Sequence, residues 1–280
     1  MRTHHLNCGT MRAIEPDDTE SGVLKPLPTV CHCLLLELDD GLVLVETGIG
    51  QVDIADPENS LGPDFLGRAA PALAENETAL QQVTRLGYDP ADVRHIVLTH
   101  LDLDHTGGLP DFPNASVHLH QAELDAALTN HGAHHEDRVR YRPSHWSHAP
   151  KWETYAETGG ESWFGFDAIR GLKGLPADIL LIPLAGHTKG HCGVAVRGDD
   201  GWLLHAGDAY YYHGSIDRQA RSPHLLEMLA GITEVERSLR LGNVARLRAL
   251  VGDHGDEVTV VSAHDPWELA ACQQSAADPV

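Results

Sequence analysis

The sequence predicts an α/β fold in which helices cover layered sheets. Three observations carry the prediction. Apolar runs of strand length recur along the 280 residues, stretches rich in Ala, Leu, Glu and Arg alternate with them, and a hydrophobic share of 42% can fill one core. We expect residues 1–280 to form a single domain.

Residues 31–37 and 42–46 are Leu- and Val-rich runs joined by Asp39, Asp40 and Gly41, the pattern of a β-hairpin. Thr47, Gly48, Ile49 and Gly50 then end the second strand in a glycine-rich turn. Residues 66–86 shift to Ala, Leu, Glu and Gln and close at Gly87, which reads as helix interrupted at Pro71. Residues 94–99 and 117–120 are buried-strand candidates, and 121–129 is a short helix. The strand pattern resumes at 178–184, 192–197, 202–206 and 257–262, with helical runs at 224–240 and 243–251.

Between 130 and 166 periodicity fades. His131, His134, His135, His145 and His148 gather there with Tyr141, Trp146, Trp152, Tyr155, Trp163, Phe164 and Phe166. Such a stretch is either a lid or substrate-pocket insertion or a packed excursion with a satellite aromatic core, and the residues leave both open.

Composition narrows the partners. Asp and Glu outnumber Lys and Arg 41 to 20, and the resulting charge of −21 repels polyanions, so no nucleic-acid partner is expected. Cys8, Cys31, Cys33, Cys192 and Cys272 are scattered and form no C-x-x-C pair, which fits a reducing compartment. The opening MRTHHLNCGT lacks the basic and apolar regions of a signal peptide, and no apolar run is long enough to span a bilayer. The expectation is a cytoplasmic protein without a membrane partner.

Histidine is the unusual feature, with 20 residues against 4 phenylalanines. His100, Asp102, Asp104 and His105 stand in THLDLDHTGG directly after the strand 94–99. A tight loop can fold these four around cations, since imidazole suits zinc and similar metals and a carboxylate adds charge and can bridge. His187 follows strand 178–184 in AGHTKGH, Asp208 follows 202–206 in HAGDA, and His264 follows 257–262 in SAHDP. Neighbouring strands that end at one sheet edge would deliver these distant residues to a single cleft.

With these motifs in this order the chain resembles the metallo-β-lactamase superfamily, whose pattern is His-x-His-x-Asp-His, then a lone His, a bridging Asp and a last His. The match runs from the hairpin at Cys31 to His264. The resemblance implies a four-layer αβ/βα sandwich and two divalent metal ions, zinc first, with manganese or iron as alternatives. By that resemblance His100, Asp102 and His187 hold the first ion, Asp104, His105 and His264 hold the second, and Asp208 bridges them.

Two positions depart from the pattern. Glu46, Thr47 and Gly48 stand where the family has Asp-Thr-Gly, and Glu46 can orient a ligand imidazole through a hydrogen bond or simply close the turn. Asp102 replaces the family's second histidine. Two divalent ions, three aspartates and a bridging hydroxide then sum to zero, where histidine would leave one positive charge. Such a cluster holds a less acidic water, attracts anions less and favours harder ions. The flavodiiron proteins, which are similar here, carry Glu and bind iron, but they use a flavodoxin module for which this chain has no room. Alternatively, Asp102 does not bind.

Cys192 and His191 read as strand packing rather than as a nucleophile and base. Tyr211, three residues after Asp208, matches a tyrosine that contacts the substrate carbonyl in the acyl-homoserine lactonase branch, the branch this chain most resembles. Asp104 and Tyr211 are therefore the candidate catalytic residues. The expected function is binuclear metal-dependent hydrolysis of a small-molecule lactone or other uncharged ester by a metal-bridging hydroxide. The alternatives are a phosphodiester or nucleic-acid hydrolase, a thiol-linked iron oxygenase and a non-enzymatic metal-binding sensor.

Overall fold

The computed structural model describes residues 1–14, 27–129, 139–156, 162–217 and 222–277. Among the described residues twelve strands make three sheets: β1 (Arg2–Asn7), β2 (Ala13–Ile14), β3 (Leu27–Pro28), β4 (His32–Leu38), β5 (Gly41–Val45), β6 (Val93–Val97), β7 (Ser116–His120), β8 (Lys151–Tyr155), β9 (Ile179–Pro183), β10 (Cys192–Gly198), β11 (Gly201–His205) and β12 (Val258–Val261). The larger sheet has the order β1-β4-β5-β6-β7-β8, the second β12-β11-β10-β9, and β2 pairs with β3.

Alternation of side chains along the strands explains the layers. Leu34, Leu36, Val43, Val45 and Val97 point from the larger sheet onto Ile179, Leu181, Cys192, Val194 and Val196 of the second, forming the core between sheets. Their neighbours Cys33, Leu35, Leu42, Leu44 and Ile96 point the other way, beneath Leu66, Val83, Leu124 and Ala127 of the covering helices. On the far side Leu180, Ile182, Ala195 and Leu204 pack against Val244, Leu247 and Leu250 of the helix Arg237–His254. The result is helix, sheet, sheet, helix, with both sheets buried on both faces, which is why their strands read as nearly continuous apolar runs. Each fully buried Leu or Val contributes about 1.5–3 kcal/mol.

The hairpin pairs Leu34 with Val45 through Leu38 with Gly41, as its sequence implies. The helix 121–129 is found as Gln121–Thr129. Other elements differ. The expected helix 66–86 is two helices, Pro63–Ala69 and Ala79–Arg85, because Ala70 and Leu73 adopt left-handed φ angles of 42° and 51° around Pro71. The expected break at 241–242 lies instead at 234–236, between the helices His224–Thr233 and Arg237–His254. There the Val235 and Glu236 amides leave the helical pattern and donate to the Gly186 carbonyl at 3.0 and 2.9 Å. β1, β8 and the helix Pro266–Ala277 were not anticipated. Polar and histidine-rich strands at the rim carry little hydrophobic alternation to announce them.

The described part of 130–166 is packed. Tyr141, His145, Trp163 and Phe166 are buried, and β8 adds a parallel edge strand beside β7. His131, His134 and His135 lie outside the described residues. No helix among the described residues is long and apolar enough to cross a membrane.

Candidate metal centre

All seven sequence-selected residues arrive at one edge, in the loops that follow strands. His100 to His105 follow β6, His187 follows β9, Asp208 follows β11 and His264 follows β12. Asp102 stands at the N-cap position of the one-turn helix Leu103–Thr106, without a capping hydrogen bond from its side chain, and Asp104 and His105 lie within that turn.

The carboxylate of Asp208 divides the site. Its Oδ2 lies 3.9 Å from His100 Nε2 and 3.5 Å from His187 Nε2, while its Oδ1 lies 3.3 Å from His105 Nε2 and 3.2 Å from His264 Nε2. Asp102 Oδ2 joins the first group, 3.0 Å from His187 Nε2 and 3.5 Å from His100 Nε2. Asp104 joins the second, 3.6 Å from His264 Nε2 and 3.9 Å from His105 Nε2. Cys31, on the same side, falls within 4.8 Å of donor atoms of Asp104 and His264.

The imidazoles are turned by their outer nitrogens. His105 Nδ1–H donates to Glu46 at 2.8 Å, His264 Nδ1–H donates to the Val30 carbonyl at 2.7 Å, and His100 Nδ1 meets Thr99 Oγ1 at 2.8 Å. His187 Nδ1 lies 3.4 Å from the Tyr211 hydroxyl. Each Nε2 therefore faces inward, and those of His100 and His105, with Asp208 Oδ1, are buried without a hydrogen bond. Buried polar atoms are ordinarily paired. Unpaired imidazole nitrogens converging with carboxylate oxygens fit a borderline divalent ion such as zinc, so the donor set suits the group.

Electrostatics follow from crowding. Burial works against charge on His264, yet Asp208 and Asp104 outweigh it and push its pKa up to about 9. Burial, aided by His105, pulls His100 down to about 3. Burial opposes ionisation of Asp102, but the Arg140 guanidinium and then His100 hold its carboxyl well below the usual range. For Tyr211, burial and then the Asp208 charge push the phenol well above its ordinary value, so it remains a donor.

Glu46 orients the His105 imidazole, one of the two roles its motif allowed, and further supporting residues escape motif reading. Glu46 is buried with φ of 65°, and its other oxygen accepts the Thr99 amide at 2.5 Å, tying β5 to the loop that bears His100. His191 precedes β10; its Nε2 accepts the Asp208 amide at 3.0 Å and its Nδ1–H donates to the Leu184 carbonyl at 3.0 Å. Gly207, with φ of 55°, leaves no room for a Cβ, which would lie 2.6 Å from His191. Glu123 accepts the amides of Leu101 and Gly190, both at 3.0 Å, joining two site loops. Arg140 Nη1 lies 3.0 Å from Asp102 Oδ1. Apart from Glu46, none of these has a spacing that marks it. Arg140 adds a positive charge beside the ligands, so the ligand cluster is not electrically isolated.

Tyr211 is 7% exposed, its hydroxyl 3.2 Å from Thr233 Oγ1. It lines a cavity of about 220 Å³ together with Tyr210, Leu226, Ala230, Arg240 and Val244. Residues 139–156 and 162–166 contribute nothing to that lining.

The sequence model of the metallo-beta-lactamase superfamily matches residues 26–230. A probable metallo-hydrolase of Mycobacterium tuberculosis, Rv2300c, is 40% identical over 272 residues, 96% of this chain and 83% of its own. An N-acyl homoserine lactonase of Bacillus thuringiensis is 33% identical over 107 residues, 38% of this chain and 42% of its own. The solved structure of an N-acyl homoserine lactone hydrolase, with N-hexanoyl-L-homoserine at its catalytic metal center, aligns with a TM-score of 0.68 at 22% identity. That alignment covers 96% of this chain and 95% of that one. A probable metal-dependent hydrolase from Staphylococcus aureus aligns at 0.67 and 15% identity, covering 94% and 89%. At such identities the structures speak for the fold, and the sequence matches speak for descent. The chain belongs to the metallo-beta-lactamase superfamily.

Proposed function

We propose that this protein is a binuclear metal-dependent hydrolase of a lactone or other uncharged ester. One observation carries the reading: Asp208 turns one oxygen to each of two groups of inward-facing imidazole nitrogens and carboxylates. His100, Asp102 and His187 would hold one ion, Asp104, His105 and His264 the other, with Asp208 shared. Such a pair, zinc first and manganese or iron as alternatives, supplies an activated water and an electrophilic pull on the substrate carbonyl.

The chain's own groups do the rest. Glu46, Thr99 and Val30 hold the imidazoles of His105, His100 and His264 in orientation. Tyr211 stands protonated beside His187, where its hydroxyl can donate to oxygen charge developing on the substrate. Asp104, with one oxygen toward His264 and one toward His105, can hold a proton at the same edge. The lactone assignment takes its support from the lactonase relative and from Tyr211. We assign 1–280 to one domain, in which the 130–166 segment serves the metal centre by bringing Arg140 to the first ligand group.

The test is metal analysis of the purified protein, paired with turnover of lactones, aryl esters, thioesters and phosphodiesters under one metal. We expect two ions per chain and faster turnover of lactones or esters. One ion with excess metal present, or a lasting preference for phosphodiesters, overturns the corresponding half of the reading.

A further inference from the structure

Asp102 has an answering residue. While its Oδ2 faces the imidazoles of His187 and His100, its Oδ1 lies 3.0 Å from Arg140 Nη1. That guanidinium is itself anchored: Nη2 donates to the Thr233 carbonyl, and Nη1 lies 3.4 Å from the His187 carbonyl. The Arg140 side chain is only 9% exposed. Burying a guanidinium costs several kcal/mol unless a carboxylate pairs with it, and Asp102 is the described carboxylate within ion-pair distance. A bare aspartate among His100, His187 and Asp208 would have two equivalent oxygens free to rotate; here Oδ1 is held in an ion pair by the guanidinium, whose Nη1 also lies 3.4 Å from His187 Nε2.

We infer that Asp102 and Arg140 together take the place of a single neutral histidine at the first metal site. Asp102 supplies the donor oxygen. Arg140 fixes the direction of that oxygen and returns the positive charge that a carboxylate, standing where an imidazole would, removes from the ligand set. Arg140 is thus a positioning residue, acting through Asp102. The inference rests on the reading that Asp102 is a ligand.

The unit makes a prediction that changes sign with its partner. Beside Asp102, the guanidinium orients a ligand, so Arg140→Met should weaken the first site by roughly 10- to 100-fold, the usual size of losing an orienting contact. Beside a histidine it would have no carboxylate within ion-pair distance among the described residues, and its charge would repel the bound cation. Asp102→His alone should therefore bind the first ion poorly, and Asp102→His with Arg140→Met should recover it. Arg140→Lys keeps the charge and should stay within a few-fold of the parent.

The experiment withdraws zinc from the loaded proteins with a chromophoric chelator and reads the two release steps, with the first site identified as the step that Asp102→Ala alters. Melting curves establish that each variant is folded. A double-mutant cycle in which Arg140→Met weakens binding beside aspartate and strengthens it beside histidine supports the pairing. Weakening in both backgrounds shows a packing role, strengthening in both shows simple repulsion, and a lysine variant as weak as methionine shows that the Thr233 tie is what matters. Each of these overturns the inference while leaving the two-metal reading intact. If Asp102→Ala holds both ions as tightly as the parent, the ligand reading fails first and the pairing with it.

Discussion

Tyr211 poses the sharpest question about a single residue. Its hydroxyl lies between His187 and Thr233, at 3.4 and 3.2 Å, and burial keeps it protonated. Tyr211→Phe removes the donor and keeps the ring, so metal content should be unchanged while kcat on the best ester falls roughly 10- to 1000-fold. An unchanged rate would assign the hydroxyl to anchoring Thr233. Asp111 offers a test away from the metal centre. Burial raises its pKa to about 6, against its bond from the Gln51 amide. A carboxyl whose folded value is raised contributes stability when protonated and loses it as pH climbs from the unfolded toward the folded value. Asp111→Asn, neutral throughout, should therefore be more stable than the parent by about 1–2 kcal/mol near neutral pH. The gap should shrink toward about pH 4.5 in denaturant melts, and a gap independent of pH removes Asp111 as its source.

At the scale of elements, the site is an agreement between loops. Glu123, on the helix Gln121–Thr129, accepts one amide from the loop after β6 and one from the loop between β9 and β10. Glu123→Ala leaves both amides unpaired in a buried place, a cost of about 2–4 kcal/mol. We expect a lowered Tm and weaker retention of metal, because His100 and His187 lose their common support. Glu123→Gln should do little better, since its NH2 must face one amide, donor against donor. Full metal affinity in Glu123→Ala would mean that the strands alone set the loops. The break at 234–236 belongs to the same logic: the chain gives up helical hydrogen bonds so that two amides can hold the loop bearing His187. Residue preference along 224–251 cannot show that exchange, since the acceptor lies about fifty residues earlier in the chain.

At the scale of the molecule, the two sheets press together through Leu34, Leu36, Val43, Val45 and their partners, and the ligands of the proposed centre come from both. Metal bound there would bridge the halves of the sandwich and favour the folded state by mass action. Chelator-treated protein should melt several degrees below the loaded protein. Asp208→Ala, which removes the shared carboxylate, should abolish that difference together with most of the bound metal. An equal Tm with and without metal would show that the halves cohere through their cores alone.

How much of this could be read beforehand depended on the range of the interaction. Strand periodicity is local, so the hairpin, the helix Gln121–Thr129 and the layered architecture were legible from residues next to one another. The ligand motifs were legible because each sits within a few residues of a strand end, and their order along the chain matched a family pattern. What no local pattern encodes is who faces whom. That His191 holds the Asp208 amide, that Glu123 joins two loops, and that a guanidinium from a stretch without periodicity reaches Asp102 were decided only when distant segments met. Such contacts depend on the packing of the sheets, and a buried charge finds its partner by position in space rather than by spacing along the chain.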